Sequence, residues 1–457
     1  MMKKRSLIYP GARVAVMGLG ISGKSAVRYA LDKGAEVAVS DARSEEQLFR
    51  DEADLLQSGK IDLEAGGHSV EFLARRDLIL VSPGIDFDLP VLQQVRSSGV
   101  PVYGELAVAG REISVPVVAV TGTNGKTTVT TLIGQILAEG GKRVFVGGNI
   151  GTPLYEYLAN PDEYDVVVVE VSSFQLECAA DFTPTVGILL NISPDHLDRH
   201  RTLEYYLQVK MQLFANQQKE HSAIVFGDDP RCCTLPAGSE SALFTFGFGK
   251  NNNAQVADAS VTLTLNGEQK EYLLGGTALN GPIAGLNCAA AILAATLLGC
   301  EDADIQSGLH KFQPLPHRVE FVTDVNGVSY YNDSKATNTG AVIAALEQFE
   351  KKVLLIAGGR DKGDDFRLLR QNVSDRVERL IVLGEASGLL EDALGDLVPI
   401  SRAASMEIAV RCAAEAAERG DVVLLSPGCA SFDMFQSYVH RGEVFKQEVL
   451  ALRQKGF

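Results

Sequence analysis

The chain has 457 residues, 46% hydrophobic and 22% charged, a length that at roughly 150 residues per domain calls for about three domains and excludes one small binding module. Its 42 basic and 58 acidic side chains leave a net charge of −16, which works against non-specific attraction to nucleic-acid phosphates or an anionic membrane; an anionic substrate must meet locally placed lysines and backbone amides. Seven scattered cysteines without a Cys-x-x-Cys pair indicate neither a disulfide framework nor a thiolate zinc site.

Taken in chain order, the basic start Met1–Arg5 is followed by an apolar run that Pro10-Gly11 breaks before a signal-peptide core forms. No apolar stretch approaches the ~20 residues of a bilayer span, so a soluble cytoplasmic protein is expected. Residues 13–18 read as a strand, and Gly18-Leu19-Gly20-Ile21-Ser22-Gly23 behind it fits G-x-G-x-x-G, with Asp41 closing the next strand. On those residues alone Asp41 belongs on a ribose, and an NAD-dependent oxidoreductase is a rival reading, as is a non-catalytic nucleotide sensor. Another strand, 78–81, leads into Ser82-Pro83-Gly84. A polar bridge at Gly110-Arg111-Glu112 closes a first segment, 1–109.

The second segment, 110–313, opens with the strand 116–122 and the loop Thr121-Gly122-Thr123-Asn124-Gly125-Lys126-Thr127-Thr128, then an amphipathic stretch over 129–139. Glycines let such a loop aim several N–H groups at a phosphate, Lys126 reaches terminal phosphate oxygens, and Thr127 is placed to offer its hydroxyl to Mg²⁺. Residues 165–170 and 186–191 are apolar on both faces, as strands of a parallel sheet are, so the expected fold class is α/β throughout. Glu170, at a strand end, suits Mg²⁺. Lys210 falls on a predicted helix over 202–216, where a lysine taken alone sits on a solvated face. The third segment, 314–457, starts at the rigid Pro314-Leu315-Pro316 and carries two more strands, 352–359 and 421–428. Residues 426–435 read as strand, turn and helix, with Ser431 capping that helix.

The loop departs from G-x-x-x-x-G-K-[ST] in having Val120 where the first glycine belongs. Its compact Gly-Thr-Asn-Gly-Lys-Thr form resembles the ATP loop of the Mur ligase and folylpolyglutamate synthase superfamily, whose members join a carboxylate to an amine using ATP. The resemblance, which covers essentially the whole chain, implies three domains: an N-terminal Rossmann-like domain, a central P-loop ATPase-like parallel sheet and a C-terminal Rossmann-like domain. Gly122 to Thr128 would then hold ATP, with Asn287, Arg318 and Asp333. Two Mg²⁺ sites would use Thr127, Glu170, His196 in Asn191-Ile192-Ser193-Pro194-Asp195-His196, and a CO₂-derived carbamate on Lys210. Lys126, His196 and Lys210 would be the catalytic groups.

The glycine turn after the first strand would bind the UDP of a nucleotide-sugar through Gly20, Ile21, Ser22 and Asp41, with Ser82, Pro83, Gly84, Asn149 and His196 completing that site. Asn287 matches incompletely, since Leu286 and Ala290 replace the family's usual His and second Asn. In the third segment Asn332-Asp333-Ser334-Lys335-Ala336-Thr337-Asn338 and Ser426-Pro427-Gly428-Cys429-Ala430-Ser431-Phe432-Asp433 resemble the branch of the family that adds D-glutamate to UDP-N-acetylmuramoyl-L-alanine in peptidoglycan precursor synthesis. D-Glutamate contacts would fall on Lys335, Thr337, Lys362, Ser431, Phe432 and Tyr438. The alternative within the family is a ligase for a different amino acid. A monomer without nucleic-acid or membrane partners is expected, its third domain swinging to close the site.

Overall fold

The computed structural model describes residues 6–56, 61–257, 259–279, 281–313, 315–349 and 351–454. The basic start Met1–Arg5 and the linker residue Pro314 lie outside the described residues. Apolar runs pair into three sheets, each a twisted, mainly parallel layer with helices on its faces.

The first unit orders β1 (Arg13–Met17), β2 (Glu36–Asp41), β3 (Ile61–Ala65), β4 (Leu78–Val81) and β5 (Val102–Tyr103) as β3-β2-β1-β4-β5, all parallel. The second contains β6 (Val117–Thr121), β7 (Val144–Gly148), β8 (Val166–Glu170), β9 (Val186–Leu189), β10 (Ser222–Phe226), β11 (Ala242–Gly247), β12 (Ala254–Ala257), β13 (Ser260–Leu265) and β14 (Glu268–Leu273). Their order is β14-β13-β12-β11-β10-β9-β6-β8-β7, parallel except for the β12-β13-β14 edge. The third orders β15 (Glu320–Val325), β16 (Val328–Asn332), β17 (Val353–Gly358), β18 (Val377–Leu383), β19 (Ile400–Ala403) and β20 (Val422–Leu425) as β15-β16-β20-β17-β18-β19, with β15 antiparallel. Chain order reverses beside β1 and β6, so each sheet opens a crevice at its strands' carboxyl ends.

Packing makes the first two units one body. A single apolar cluster runs from Val14 and Val39 through Leu106 and Tyr155 to Ala119, Val169 and Tyr206. The third unit builds its core on the two faces of its own sheet. The helix Lys126–Glu139 shows how the phosphate loop is anchored: Val129, Leu132, Ile133, Ile136 and Leu137 are all buried, a gross stabilisation on the order of 10 kcal/mol.

Two sequence expectations are corrected. The polar bridge Gly110-Arg111-Glu112 is the end of a helix, Glu105–Glu112, held because Leu106 to Ala109 are buried. Ser431 caps no helix: residues 431–437 are turns and bends, and the last helix starts at Tyr438 and runs to Gln454. Among the described residues no helix is long and apolar enough to cross a membrane.

Candidate active site

Beyond the carboxyl ends of β6, β8 and β9 lies a cavity of about 450 Å³, walled by the second unit on one side and the third on the other. The phosphate loop forms its floor. Gly122 and Gly125 have φ of +146° and +83°, a region costly for other residues, and a Cβ on Gly125 would stand 2.5 Å from Asn287 Oδ1. Asn191, just past β9, pins the loop: its Oδ1 accepts the Asn124 N–H at 2.9 Å and its Nδ2 donates to Asn124 O at 3.0 Å. No role was foreseen for Asn191, though its place after a buried strand was the signal.

Lys126, first residue of its helix, curls back so that Nζ donates to Gly122 O at 3.0 Å and Thr123 O at 2.7 Å. Thr127 Oγ1 donates to Glu170 Oε2 at 2.6 Å, while Asn149 Nδ2 donates to Glu170 Oε1 at 2.6 Å. Hydroxyl and carboxylate therefore converge as the hard oxygen donors a divalent cation prefers.

Lys210 is not on the solvated face that its helix position taken alone suggests. Its helix, Leu203–Met211, turns its last residues inward, leaving Lys210 1% exposed, with Nζ 2.9 Å from the same Gly122 O and 4.4 Å from the centroid of the Tyr206 ring. Burial first, then the nearby Lys126, drive its pKa well below that of an ordinary lysine. A cation there repels a metal ion; a neutral amine carbamylated by CO₂ supplies oxygen ligands instead, so this position suits a divalent ion in that form. Among the described residues no group of three or more His, Cys, Asp or Glu side chains is arranged as a metal cage.

His196 adopts a left-handed conformation, φ +54°, at the start of the single turn Leu197–His200, and its ring meets Phe174 edge-on at 4.9 Å. Asp195 beside it receives Lys362 Nζ at 2.6 Å and Asn338 Nδ2 at 3.0 Å. Burial pushes the Asp195 carboxyl up, but Lys362, His196 and Lys126 outweigh it and hold it below its ordinary range. Asn338 and Asn124 exchange amide contacts at 3.3 and 3.4 Å. These polar pairs dock the third unit on the loop; Asp195 and Asn338 were quoted within motifs but given no function.

From the third unit, Arg318 enters the cavity between two strained residues, His317 (φ +63°) and Val319 (φ +47°). Asp333 Oδ2 accepts from Ser426 Oγ at 2.8 Å and Oδ1 from the Val319 N–H at 3.3 Å, and burial raises its pKa to about 7. Burial, then Arg318, lower Lys335 to about 8; its Nζ lies 3.9 Å from the Tyr438 ring centroid. Thr128, Asn287 and Thr337 also line the cavity, whereas Lys362, Ser431, Phe432 and Tyr438 stand outside its wall. Phe432 is 65% exposed.

The first unit brings its own two loops together: Ser82 Oγ donates to Gly18 O at 2.7 Å, and Gly23 packs so closely that a Cβ would lie 2.0 Å from Gly18 O. Gly20 precedes the helix Ile21–Asp32, at whose start Ile21 is 72% exposed and Ser22 half-buried. Pro83 and Gly84 follow Ser82 on the facing loop. Asp41 accepts the Leu19 N–H at 2.7 Å and both the amide and guanidinium of Arg43, so its carboxylate shapes the glycine turn.

Three family models match the chain: a Mur ligase MurD-like N-terminal domain over residues 12–104, a Mur ligase middle domain over 120–299, and a Mur ligase glutamate ligase domain over 317–429. The UDP-N-acetylmuramoylalanine--D-glutamate ligase of Desulfotalea psychrophila is 51% identical over 456 residues, covering 100% of both chains. That of Desulfatibacillum aliphaticivorans is 42% identical over 97% of this chain and 99% of its own. Among solved structures, MurF from Acinetobacter baumannii superposes with a TM-score of 0.62 at 15% identity, covering 96% of this chain and 93% of that one. The UDP-N-acetylmuramate-alanine ligase MurC from Thermotoga maritima gives 0.59 at 18% identity, over 96% and 99%; at such identities the likeness is one of fold.

Proposed function

The chain belongs to the Mur ligase family, and we propose that it performs the ATP-dependent addition of D-glutamate to UDP-N-acetylmuramoyl-L-alanine, a step of peptidoglycan precursor synthesis. The observation that carries the catalytic reading is the convergence of Lys126 and Lys210 on one carbonyl, Gly122 O, beside the Thr127–Glu170 pair and opposite Arg318, Asp333 and Lys335 in one cavity.

The alanyl carboxylate attacks the γ-phosphorus of ATP, ADP leaves, and an acyl phosphate forms. The D-glutamate amine then attacks the acyl carbon, a proton is lost from nitrogen, and the tetrahedral intermediate expels inorganic phosphate to leave the amide. Lys126 exchanges its two carbonyl contacts for phosphate oxygens and stabilises charge building there, while loop N–H groups hold the β- and γ-phosphates. Arg318 and Asp333 grip the nucleotide from the third unit, and Asn287 lies under the loop toward the base.

Thr127, Glu170, His196 and carbamylated Lys210 would hold two Mg²⁺ ions, which supply Lewis-acid polarisation of the phosphoryl and carboxylate oxygens. The carbamate forms as the neutral Lys210 amine adds to CO₂ and releases one proton. Gly20, Ile21, Ser22, Ser82, Pro83, Gly84 and Asn149 bind the UDP-muramyl substrate, Asp41 fixing the glycine turn and His196 reaching the substrate's far end. Lys335 and Thr337, in the cavity wall, receive D-glutamate, and Lys362, Ser431, Phe432 and Tyr438 join them on further closure of the third unit, which excludes water. The enzyme acts as a cytoplasmic monomer in this reading.

The test is phosphate release from ATP with UDP-N-acetylmuramoyl-L-alanine and each of D-glutamate, L-glutamate, D-aspartate and L-lysine. Release only with D-glutamate, matched mole for mole by peptide product, is expected. Product formed without consumption of ATP overturns the reading.

A further inference from the structure

His196 has a neighbour outside the reaction scheme that reaches both halves of the substrate path. Arg199 lies on the same single turn, and its side chain is only 16% exposed. Its Nη2 donates to Ile85 O at 3.3 Å, at the end of the Ser82-Pro83-Gly84 loop of the first unit, and pairs with the Glu177 carboxylate. Its guanidinium carbon sits 4.3 Å from the centroid of Phe174, the ring that His196 abuts.

Glu177 is the hub behind this contact. Its Oε1 faces His200 Nδ1 at 3.5 Å, and His200 stacks on Phe174 at 5.5 Å with its Nε2 2.8 Å from Ser173 Oγ. Burial, with Asp86 and Asp88 from the first unit, raises Glu177 above its ordinary range, and Arg199 opposes that. The turn closes on its own backbone, with the Arg199 and His200 N–H groups donating to His196 O at 3.1 and 2.9 Å and the Arg201 N–H to Leu197 O at 2.9 Å, while His196 and Arg201 at its two ends have positive φ, +54° and +66°. Those bonds set the shape of the turn but not its place against the first unit, and Arg199 bonds from the turn to the loop expected to contact UDP.

We propose that Arg199 is a positioning residue that ties the turn carrying His196 to the Ser82–Ile85 loop through Phe174 and Ile85 O, so that ordering of that loop by the UDP-substrate sets the orientation of His196. The proposal rests on the UDP-site reading above. Lysine keeps the charge facing Glu177 but replaces the flat guanidinium over Phe174 with a compact, more strongly hydrated ammonium on a shorter reach.

The experiment compares wild type, Arg199→Lys, Arg199→Met and, as a control, Arg111→Lys, which weakens the Arg111–Asp181 pair at 3.4 Å. In Arg199→Lys, KM for the UDP-muramyl substrate rises about tenfold and kcat falls about tenfold, with KM for ATP within twofold of wild type; misplacement of a group near the chemistry has effects of that size. Arg199→Met shows the same pattern more strongly. The control leaves all three constants within twofold. The second readout is ¹³C-histidine NMR with UDP alone, which spans the first unit's loops without the muramyl portion. UDP shifts the His196 resonance of wild type, and in Arg199→Lys the shift is lost although UDP still saturates. An unchanged UDP response in Arg199→Lys, or changes shared equally by the ATP constant and the control, overturns the proposal while leaving the UDP site standing. Failure of wild type to bind UDP overturns both.

Discussion

Glu105 is a carboxyl with a pH signature of its own. It opens the helix Glu105–Glu112 at the seam between the first two units, is 4% exposed, and accepts the Tyr155 N–H at 3.4 Å. Burial dominates: against the opposing Tyr155 and Leu154 amides and Gln175, it raises the group from the ordinary 4.5 to about 7. Below pH 4.5 the group is protonated in both folded and unfolded chains and imposes no penalty. Between 4.5 and about 7 the unfolded chain releases the proton first, so wild type loses stability as pH rises, reaching a deficit of about 3 kcal/mol that is constant above 7. Glu105→Gln keeps an acceptor for Tyr155 and removes the charge. The variant gains on wild type as pH rises from 4.5 to 8, by about 3 kcal/mol in all. With an m-value of about 3 kcal/mol/M, the urea midpoint difference between the two proteins widens by about 1 M. The assay is far-UV circular dichroism in urea at pH 4.5, 6 and 8, suitable because the chain contains no tryptophan. A difference that stays flat with pH would falsify the burial argument.

Three further outcomes follow from the cavity. Lys126→Ala lowers ADP formation by at least about 10²-fold, the loss typical of a charge-stabilising donor, while UDP-substrate affinity by calorimetry stays within about twofold; equal loss of both refutes the division between first and second units. Lys210→Ala nearly abolishes turnover, and formate or acetate restores part of it by supplying an anion; wild-type turnover by that variant removes the carbamate from the mechanism. Asp195→Asn leaves Lys362, with a side chain 16% exposed, without its anionic partner at 2.6 Å, so the third unit separates from the loop more often. Small-angle scattering of the ligand-free variant shows a larger radius of gyration than wild type, and identical curves count against Asp195 as the docking group.

Much of this was legible in the sequence because it is local. The run Val117–Thr121 followed by Gly122, Gly125 and Lys126 encodes strand, turn and helix within a dozen residues, and β-branched strands with glycine exits leave few alternatives. What was hidden depends on partners far along the chain. Lys210 is buried because its helix meets a carbonyl 88 residues earlier, which no helical periodicity announces. Asp195 and Asn338 gain their role only when the third unit arrives, 143 residues apart in sequence. Ser431 failed differently: a serine before Phe432-Asp433 looks like a cap, but the chain turns through 431–437 and starts its helix only at Tyr438, whose backbone carbonyl accepts from Ser334 Oγ at 2.8 Å. Tertiary contact, not local preference, set that boundary.

The charge balance inside the cavity explains how a chain of net charge −16 accepts a polyanion. Lys126, Lys335 and Arg318 face inward, and burial lowers the pKa of each, so each is held in the state a phosphate relieves most. An arriving triphosphate favours the charged form of each, and near pH 8 its binding draws a proton onto Lys335 as well as nucleotide into the site. Lys210 is the exception, because it is sealed under Gly122 O, where the same field that favours phosphate on Lys126 works against a second ammonium. The proposed carbamylation would reverse its sign and turn a repulsive neighbour of Lys126 into an attractive one. It also adds negative charge near Glu170 and Asp195, and that excess is tolerable only if a divalent cation lies among them. In the carbamylated form proposed above, Lys210 would link CO₂ capture to metal affinity, so that raising either bicarbonate or Mg²⁺ is expected to strengthen retention of the other.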